Sequence, residues 1–327
     1  MKLFGHLQVR LDPWQSDYGS EIPLELDEQG EADEAVDLGV ESDPERWQPI
    51  TPSAREPEGR TIFVDGVRRL EARLIGRSED RLFHGAFGSY GVGAVEASAG
   101  HAWIRTTQIG RVIAFGSGQR VGPIAVLPSL EYLPISSARP DPDGPLRAIQ
   151  EQMRLAEERL GKELADAEEA LVIVDGPLSF EEAMRGSAIG YIKRLFRLYL
   201  PGSHLALLAA LQAGQRTPLF ALRSSRRFAR YSWFSRVGAT ALGESDLSGI
   251  VRLEVAETLG SDRARQLADR STQMLPRFVP PRWRDPRSPQ NLLPIGGLEQ
   301  HLRHRLGDAR LIRRRIQALL AQEAQRV

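Results

Sequence analysis

Two apolar runs in this chain stop at the same dipeptide. Ile62-Phe63-Val64 leads into Asp65-Gly66, and the run from Ala170 to Val174 leads into Asp175-Gly176. Short, continuous apolar runs rich in β-branched residues read as strands buried on both faces. Each is therefore expected to deliver an acid at its C-terminal end. If the two strands lie side by side, both carboxylates emerge at one sheet edge. Two acids held that close repel each other unless a cation neutralises them, and a divalent ion is the natural resolution. The glycines would let the backbone turn sharply and leave room for a phosphate. Asp-Gly is also ordinary turn chemistry after a strand, so the pairing of the motifs carries the argument.

The rest of the chain supplies partners for those strands. Further strands are expected over 69–75, 85–97 and 108–115, then a Pro- and Gly-bearing linker over 136–144. A long helix is predicted over 146–169, because Ile149, Met153, Ala156, Leu160 and Leu164 trace one apolar stripe. Helices are predicted over 180–198, 204–213, 263–275 and 297–325, and strands over 219–223, 231–238 and 250–256. Residues 276–294, rich in Pro and Arg, read as a loop. This order predicts an α/β fold with a mixed sheet flanked by helices. No second hydrophobic domain separates cleanly.

Composition narrows the chemistry. The chain has no cysteine, so disulfides and thiolate metal sites are excluded. Any metal must sit on carboxylates, histidines or carbonyls, which favours Mg²⁺ or Mn²⁺. The N-terminal stretch MKLFGHLQVRLDPW lacks the apolar core of a signal peptide. No apolar run approaches the ~18 residues of a membrane span, so a cytoplasmic protein without a membrane partner is expected. The 43 basic and 43 acidic residues are distributed unevenly. Residues 1–60 hold 15 acids against five bases, which leaves 28 acids and 38 bases in 61–327. A basic body suits a polyanion. From Asp17 to Glu45 there are twelve acids and no base. The chain thus divides into an N-terminal segment, 1–59, with a flexible acidic stretch, and a body, 60–327.

Arg223, Arg226, Arg227, Arg230 and Arg236 are interleaved with Phe228, Tyr231, Trp233 and Phe234. Arginine on phosphate with aromatic stacking on bases is the chemistry of single-strand binding. Arg226, Arg227, Arg230 and Trp233 are accordingly candidate DNA contacts, although half the aromatics of a strand here would face the core. A second basic run lies over 303–315.

Taken in order, FVDG at 63–66, the glutamate-bearing helix, VIVDGPL at 172–178, GYIKR at 190–194, RYSWFSRV at 230–237, VRLEV at 251–255 and LLPIGGLEQH at 292–301 resemble the NurA family of nucleases. The similarity spans about residues 60–316, and the order of the motifs gives it its weight. It implies an RNase H-like fold and Mn²⁺-dependent cleavage of DNA, with Mg²⁺ as an alternative. It further implies 5′-to-3′ exonuclease and single-strand endonuclease activity in DNA end resection and double-strand break repair. The implied assembly is a homodimer working with HerA, a hexameric DNA-translocating ATPase.

By the same resemblance, Asp65 and Asp175 match the metal-binding aspartates. His301 matches a C-terminal histidine that ligates the metal or moves a proton, and Lys193 matches a lysine placed after the first turn of the following helix. The catalytic glutamate falls at Glu157 or Glu158. Helical phase puts Glu157 beside the apolar stripe, whereas motif spacing favours Glu158. Leu293 stands where the family usually has a tyrosine. Glu254 reads as structural, paired with Arg252 or another arginine.

Two other classes compete. A non-catalytic DNA-binding scaffold that docks a motor ATPase would need neither aspartate. An actin-like or sugar-kinase-type ATPase would need a glycine-rich phosphate loop, and 85–93 reads as strand instead.

Overall fold

The computed structural model describes residues 3–5, 7–12, 34–53, 59–78, 81–98, 100–167, 169–181, 187–225 and 227–325. Short strands β1 (Gln8–Leu11) and β2 (Ala35–Asp37) precede a long meander of β3 (Thr61–Ser78), β4 (Arg81–Ser98) and β5 (His101–Phe115). After β6 (Ile124–Leu127) and β7 (Leu130–Ser136), helix α1 (Gly144–Ala167) crosses over to β8 (Leu171–Asp175) and β9 (Ser187–Ile192). Then come α2 (Gly202–Ala210), β10 (Phe220–Arg223), β11 (Arg230–Arg236) and β12 (Ile250–Ala256). Helices α3 (Ser261–Met274), α4 (Leu293–Arg305) and α5 (Ala309–Gln325) close the chain.

Among the described residues the strands form one mixed, twelve-stranded sheet ordered β2-β10-β11-β12-β9-β8-β3-β4-β5-β7-β6, with β1 paired to β3. The β3–β4–β5 meander is antiparallel, whereas β8 runs parallel to both β3 and β9. Helices cover both faces, as burial of parallel strands requires. Helix α1 packs its predicted stripe on Ile62, Val64, Val172 and Val174. Helix α3 and the start of α4 pack on Phe63, Ile173, Tyr191 and Leu253 from the other side. The outer half of the meander has its own core, in which Leu74, Phe87 and Phe115 meet Ile312 and Ile316 of α5.

Four expectations change. The strands expected over 61–66 and 69–75 are one strand, β3, with a bulge between Leu70 and Ala72. Asp65 therefore lies within a strand and not at its end. Residues 187–192, expected to be helical, form β9, and all six of them are buried. An apolar run this short has no periodicity to separate a doubly covered strand from a helix. The single helix expected over 297–325 is two, broken where Gly307 takes a φ of +79° and Asp308 Oδ1 accepts from Leu311 N at 2.9 Å. Strand β5 starts at His101, well before the expected 108.

Most of the acidic stretch lies outside the described residues. Its remainder, from Glu34 on, departs from the flexible tail expected there. Strand β2 pairs with β10 at the sheet edge, Glu34 is buried against Arg230, and Glu41 grips Arg216. Arg216 is 1% exposed and bridges Glu41, at 2.7 and 2.8 Å, to Asp269 of α3 at 2.7 Å. Removing one partner of a buried ion pair leaves the other charge uncompensated. Arg216→Ala is expected to cost about 3 kcal/mol, at the low end of the usual range because Asp269 stays partly solvated. Urea denaturation measures this, and Arg216→Met with Glu41→Leu should recover most of the loss. No described helix is long and apolar enough to cross a membrane.

Candidate metal centre

Strand register assembles the site. Parallel pairing matches Val64 with Val174, so the next residues, Asp65 and Asp175, stand side by side on neighbouring strands. Alternation sends both side chains to the face of the sheet that carries α3 and α4. There Glu299 of α4 meets them, and one carboxylate oxygen from each of the three lies within 4.8 Å of the others.

Sequence reasoning missed Glu299. Helix α4 is seated by Leu298 and Leu302 on Val67 and Val95, and it approaches β4 closely at Gly91 and Gly93. At Gly93 a Cβ would come within 3.0 Å of Leu298 Cδ1. The helix's C-terminal end is tied down by Arg69 and Arg111, which donate to the carbonyls of Leu306 and Gly307. That seating turns Glu299 toward the aspartates. His301, two residues on, points round the helix into a separate groove with Leu293, Trp103 and Phe278. The structure thus brings Asp65 and Asp175 together with Glu299, whereas His301 lines a different groove.

The opposite face contributes Glu157. It is buried on α1, and its Oε1 lies against the position a Cβ on Gly66 would take. The absent side chain of Gly66 leaves the space that this carboxylate from α1 occupies beside Asp65. Glu158 also lines the cleft but is half-buried. Lys193 follows β9 directly, not the turn of a helix, and its Nζ lies 2.6 Å from Asp175 Oδ2 and 2.9 Å from Asn291 Oδ1. Arg287 binds Glu299 at 2.8 Å. Tyr191 donates to the Gln290 carbonyl at 2.7 Å and holds the Pro- and Arg-rich loop over the site. The turn after Asp175 is fixed by Gly176, with φ of +103°, and by Glu254, which accepts from Leu178 N at 2.9 Å. Glu254 is structural as expected, bound to Arg252 at 2.6 Å.

The electrostatics are those of too many acids in too little water. Burial, then Asp175, pushes the Asp65 carboxyl well above the carboxylate range, with Glu157 and Glu299 adding to the effect and Lys193 opposing it. Burial and Asp175 likewise push Glu157 up to about 8. Burial disfavours the Lys193 ammonium, but Asp175 and Asp65 outweigh it and its pKa is raised. Asp65 Oδ2 is buried with no hydrogen-bond partner. An orphaned buried carboxylate oxygen on a residue grouped with two further carboxylates is what a hard divalent cation would satisfy, so this donor set fits one.

A cleft of about 930 Å³ opens over Asp65, Asp175, Glu157 and Lys193. Arg154, Arg194, Arg227 and Arg287 line it together with those acids. Of the candidate DNA contacts, Arg227 lines the cleft while donating to the Leu178 carbonyl at 2.9 Å. Arg226 lies outside the described residues. Arg230 and Trp233 are 1% and 0% exposed and have no nucleic-acid-facing surface. Strand β11 is covered on both faces, by α3 on one side and by the Leu208 cluster on the other, so its aromatics and Arg230 fill the interior.

No protein-family model and no curated protein matches the chain. Among solved structures, the crystal structure of the NurA nuclease from Sulfolobus solfataricus is similar at 12% identity, with 69% of this chain and 76% of that chain covered and a TM-score of 0.37. A likeness at that level carries no structural or functional argument.

Proposed function

We propose that this chain is a divalent-metal-dependent nuclease with an RNase H-like core. The observation that carries this reading is the convergence of Asp65, Asp175 and Glu299 within 4.8 Å, with Asp65 Oδ2 buried and unpartnered. Arg154, Arg194, Arg227 and Arg287 line the same cleft as Asp65 and Asp175, which suits a phosphodiester backbone. An antiparallel meander, a helical crossover and a strand parallel to the first support the RNase H-like reading. The motif series in the sequence supports the narrower one. That reading is a NurA-type enzyme using Mn²⁺, or Mg²⁺, with 5′-to-3′ exonuclease and single-strand endonuclease activity. It would act in the cytoplasm in DNA end resection and double-strand break repair, as a homodimer with a HerA-type hexameric ATPase.

Asp65, Asp175 and Glu299 would hold the ion. When bound, Mn²⁺ or Mg²⁺ polarises a phosphodiester and lowers the pKa of water. Lys193 Nζ, beside Asp175 Oδ2, offsets negative charge at the site and can meet a phosphate oxygen. Glu157 keeps its proton close to neutral pH, which suits it to donate to a leaving oxygen and, once ionised, to accept from water. His301 has no ligand role in this reading.

Gly66 is the cheapest place to disturb Glu157. Gly66→Ala should lower cleavage about 100-fold or more, as loss of a general acid–base group does, while leaving DNA affinity near native. An unchanged rate would remove Glu157 from the mechanism.

The direct test incubates purified protein with 5′- and 3′-labelled DNA in EDTA, Mn²⁺ or Mg²⁺. Cleavage is expected only with an ion. DNA bound but uncut under both ions would instead favour a non-catalytic scaffold docking a motor. The contact between Lys193 and Asp175, which already gives the acids a cation, is the observation on that side.

A further inference from the structure

On the far side of α4 from the metal centre lies a second groove, also of about 930 Å³. Its floor is apolar, formed in part by Phe278 and by Trp103, which is 46% exposed. Its lining includes Arg277, Arg284, His101 and His301, with no carboxylate among the described lining residues. The groove is not isolated. It shares Arg284, Leu293 and Gly297 with a trough under the loop that follows α3, where Asp285 is already bound by Arg287 and Asn291, and that trough shares Arg287 with the metal cleft. Aromatic surface and arginines, with no acid among the groove's described lining residues, select a ligand with flat apolar faces on an anionic backbone. A duplex keeps its bases stacked inside, so the ligand must be single-stranded.

We propose that this groove binds the bases of a single-stranded nucleic acid whose backbone passes Arg284 and Arg287 on its way to the metal centre. The proposal rests on the nuclease reading for its direction but not for its chemistry. Trp103 supplies the stacking face, Arg277 and Arg284 meet phosphates, and His301 lies in the strand's path away from the metal. A protein partner would find cations but, among the described lining residues, no acid to pair with its own positive groups. A second copy of this chain is the rival occupant of the exposed Trp103.

Two variants test this without touching the metal centre. Trp103→Ala removes an exposed ring. Gly297→Leu fills the junction of groove and trough, where a Cβ would meet nothing within 4 Å, and a helical position favours leucine over glycine. Affinity for labelled oligodeoxythymidine is read by fluorescence anisotropy in EDTA. Turnover of thymidine 5′-p-nitrophenyl phosphate, too small to reach the groove, is read in Mn²⁺. Each variant should weaken oligonucleotide binding about tenfold, the size of one lost stacking contact, with turnover of the small ester unchanged. Native affinity in both variants overturns the proposal, as does a native protein that binds no oligonucleotide. So does a Trp103→Ala protein that loses a dimer in sedimentation while keeping its DNA affinity, because the groove then seats a second copy. If the native protein never hydrolyses the small ester yet both variants lose oligonucleotide affinity, the metal-centre reading fails and the groove stands.

Discussion

Asp65→Asn is expected to cut DNA at least about a thousandfold more slowly than the native protein, because charge stabilisation by a held metal is worth several kcal/mol. In EDTA the same variant is expected to melt at a higher temperature. The two effects have one cause. Asp65 is 6% exposed, its Oδ2 has no partner, and Asp175, Glu157 and Glu299 all raise its pKa. Without a cation, the folded state bears that repulsion, and an isosteric amide relieves it. Lys193 offsets only part of the charge, since its Nζ is bound to Asp175. Thermal melts with and without Mn²⁺, run beside the cleavage assay, separate the effects. The native protein should gain stability from Mn²⁺ and the variant should gain little. A variant that loses stability in EDTA would show that Asp65 is held by structure and not for a metal.

The second large effect is on pH. Glu157 moves from an ordinary 4.5 to about 8 in the folded protein. A carboxyl whose folded pKa exceeds its unfolded value binds more protons when folded, so stability falls as pH rises between those values. The metal-free protein should therefore be most stable near or below pH 4.5 as far as this group decides, and lose stability up to about pH 8. At ~1.4 kcal/mol per pH unit the full span is of order 5 kcal/mol, and Asp65 acts in the same direction. Mn²⁺ requires ionised ligands, so its stabilisation should grow with pH and its binding should release protons. The check is a set of melts from about pH 5 to 8.5 on native protein and Glu157→Gln, with and without Mn²⁺. If the two proteins share one metal-free profile, Glu157 is not the group that titrates.

The local features were written in the sequence. The stripe from Ile149 to Leu164 specified α1 because its spacing matches one helical face. The apolar runs into Asp65 and Asp175 specified two buried strands. The break between α4 and α5 was also legible, in Gly307-Asp308, a left-handed stop followed by a cap, although the long run of basic residues concealed it. The reading of 187–192 as helix failed because a strand covered on both faces shows no alternation. The reading of Arg230 and Trp233 as DNA contacts failed for a related reason. Sequence shows which residues are cationic or aromatic, but not that a sheet will be roofed on both sides there.

The sequence by itself determined the parts of the site: two Asp-Gly strands, a glutamate-bearing helix and hard-ligand chemistry in a chain without thiols. Only the tertiary structure decided which carboxylates meet. The register of β3 on β8 placed Asp65 beside Asp175, and the seating of α4 on glycines chose Glu299 over His301. The physical reason is range. Periodicity and capping act over a few residues, whereas register and helix rotation are settled by packing between segments more than a hundred residues apart, and no local pattern encodes them.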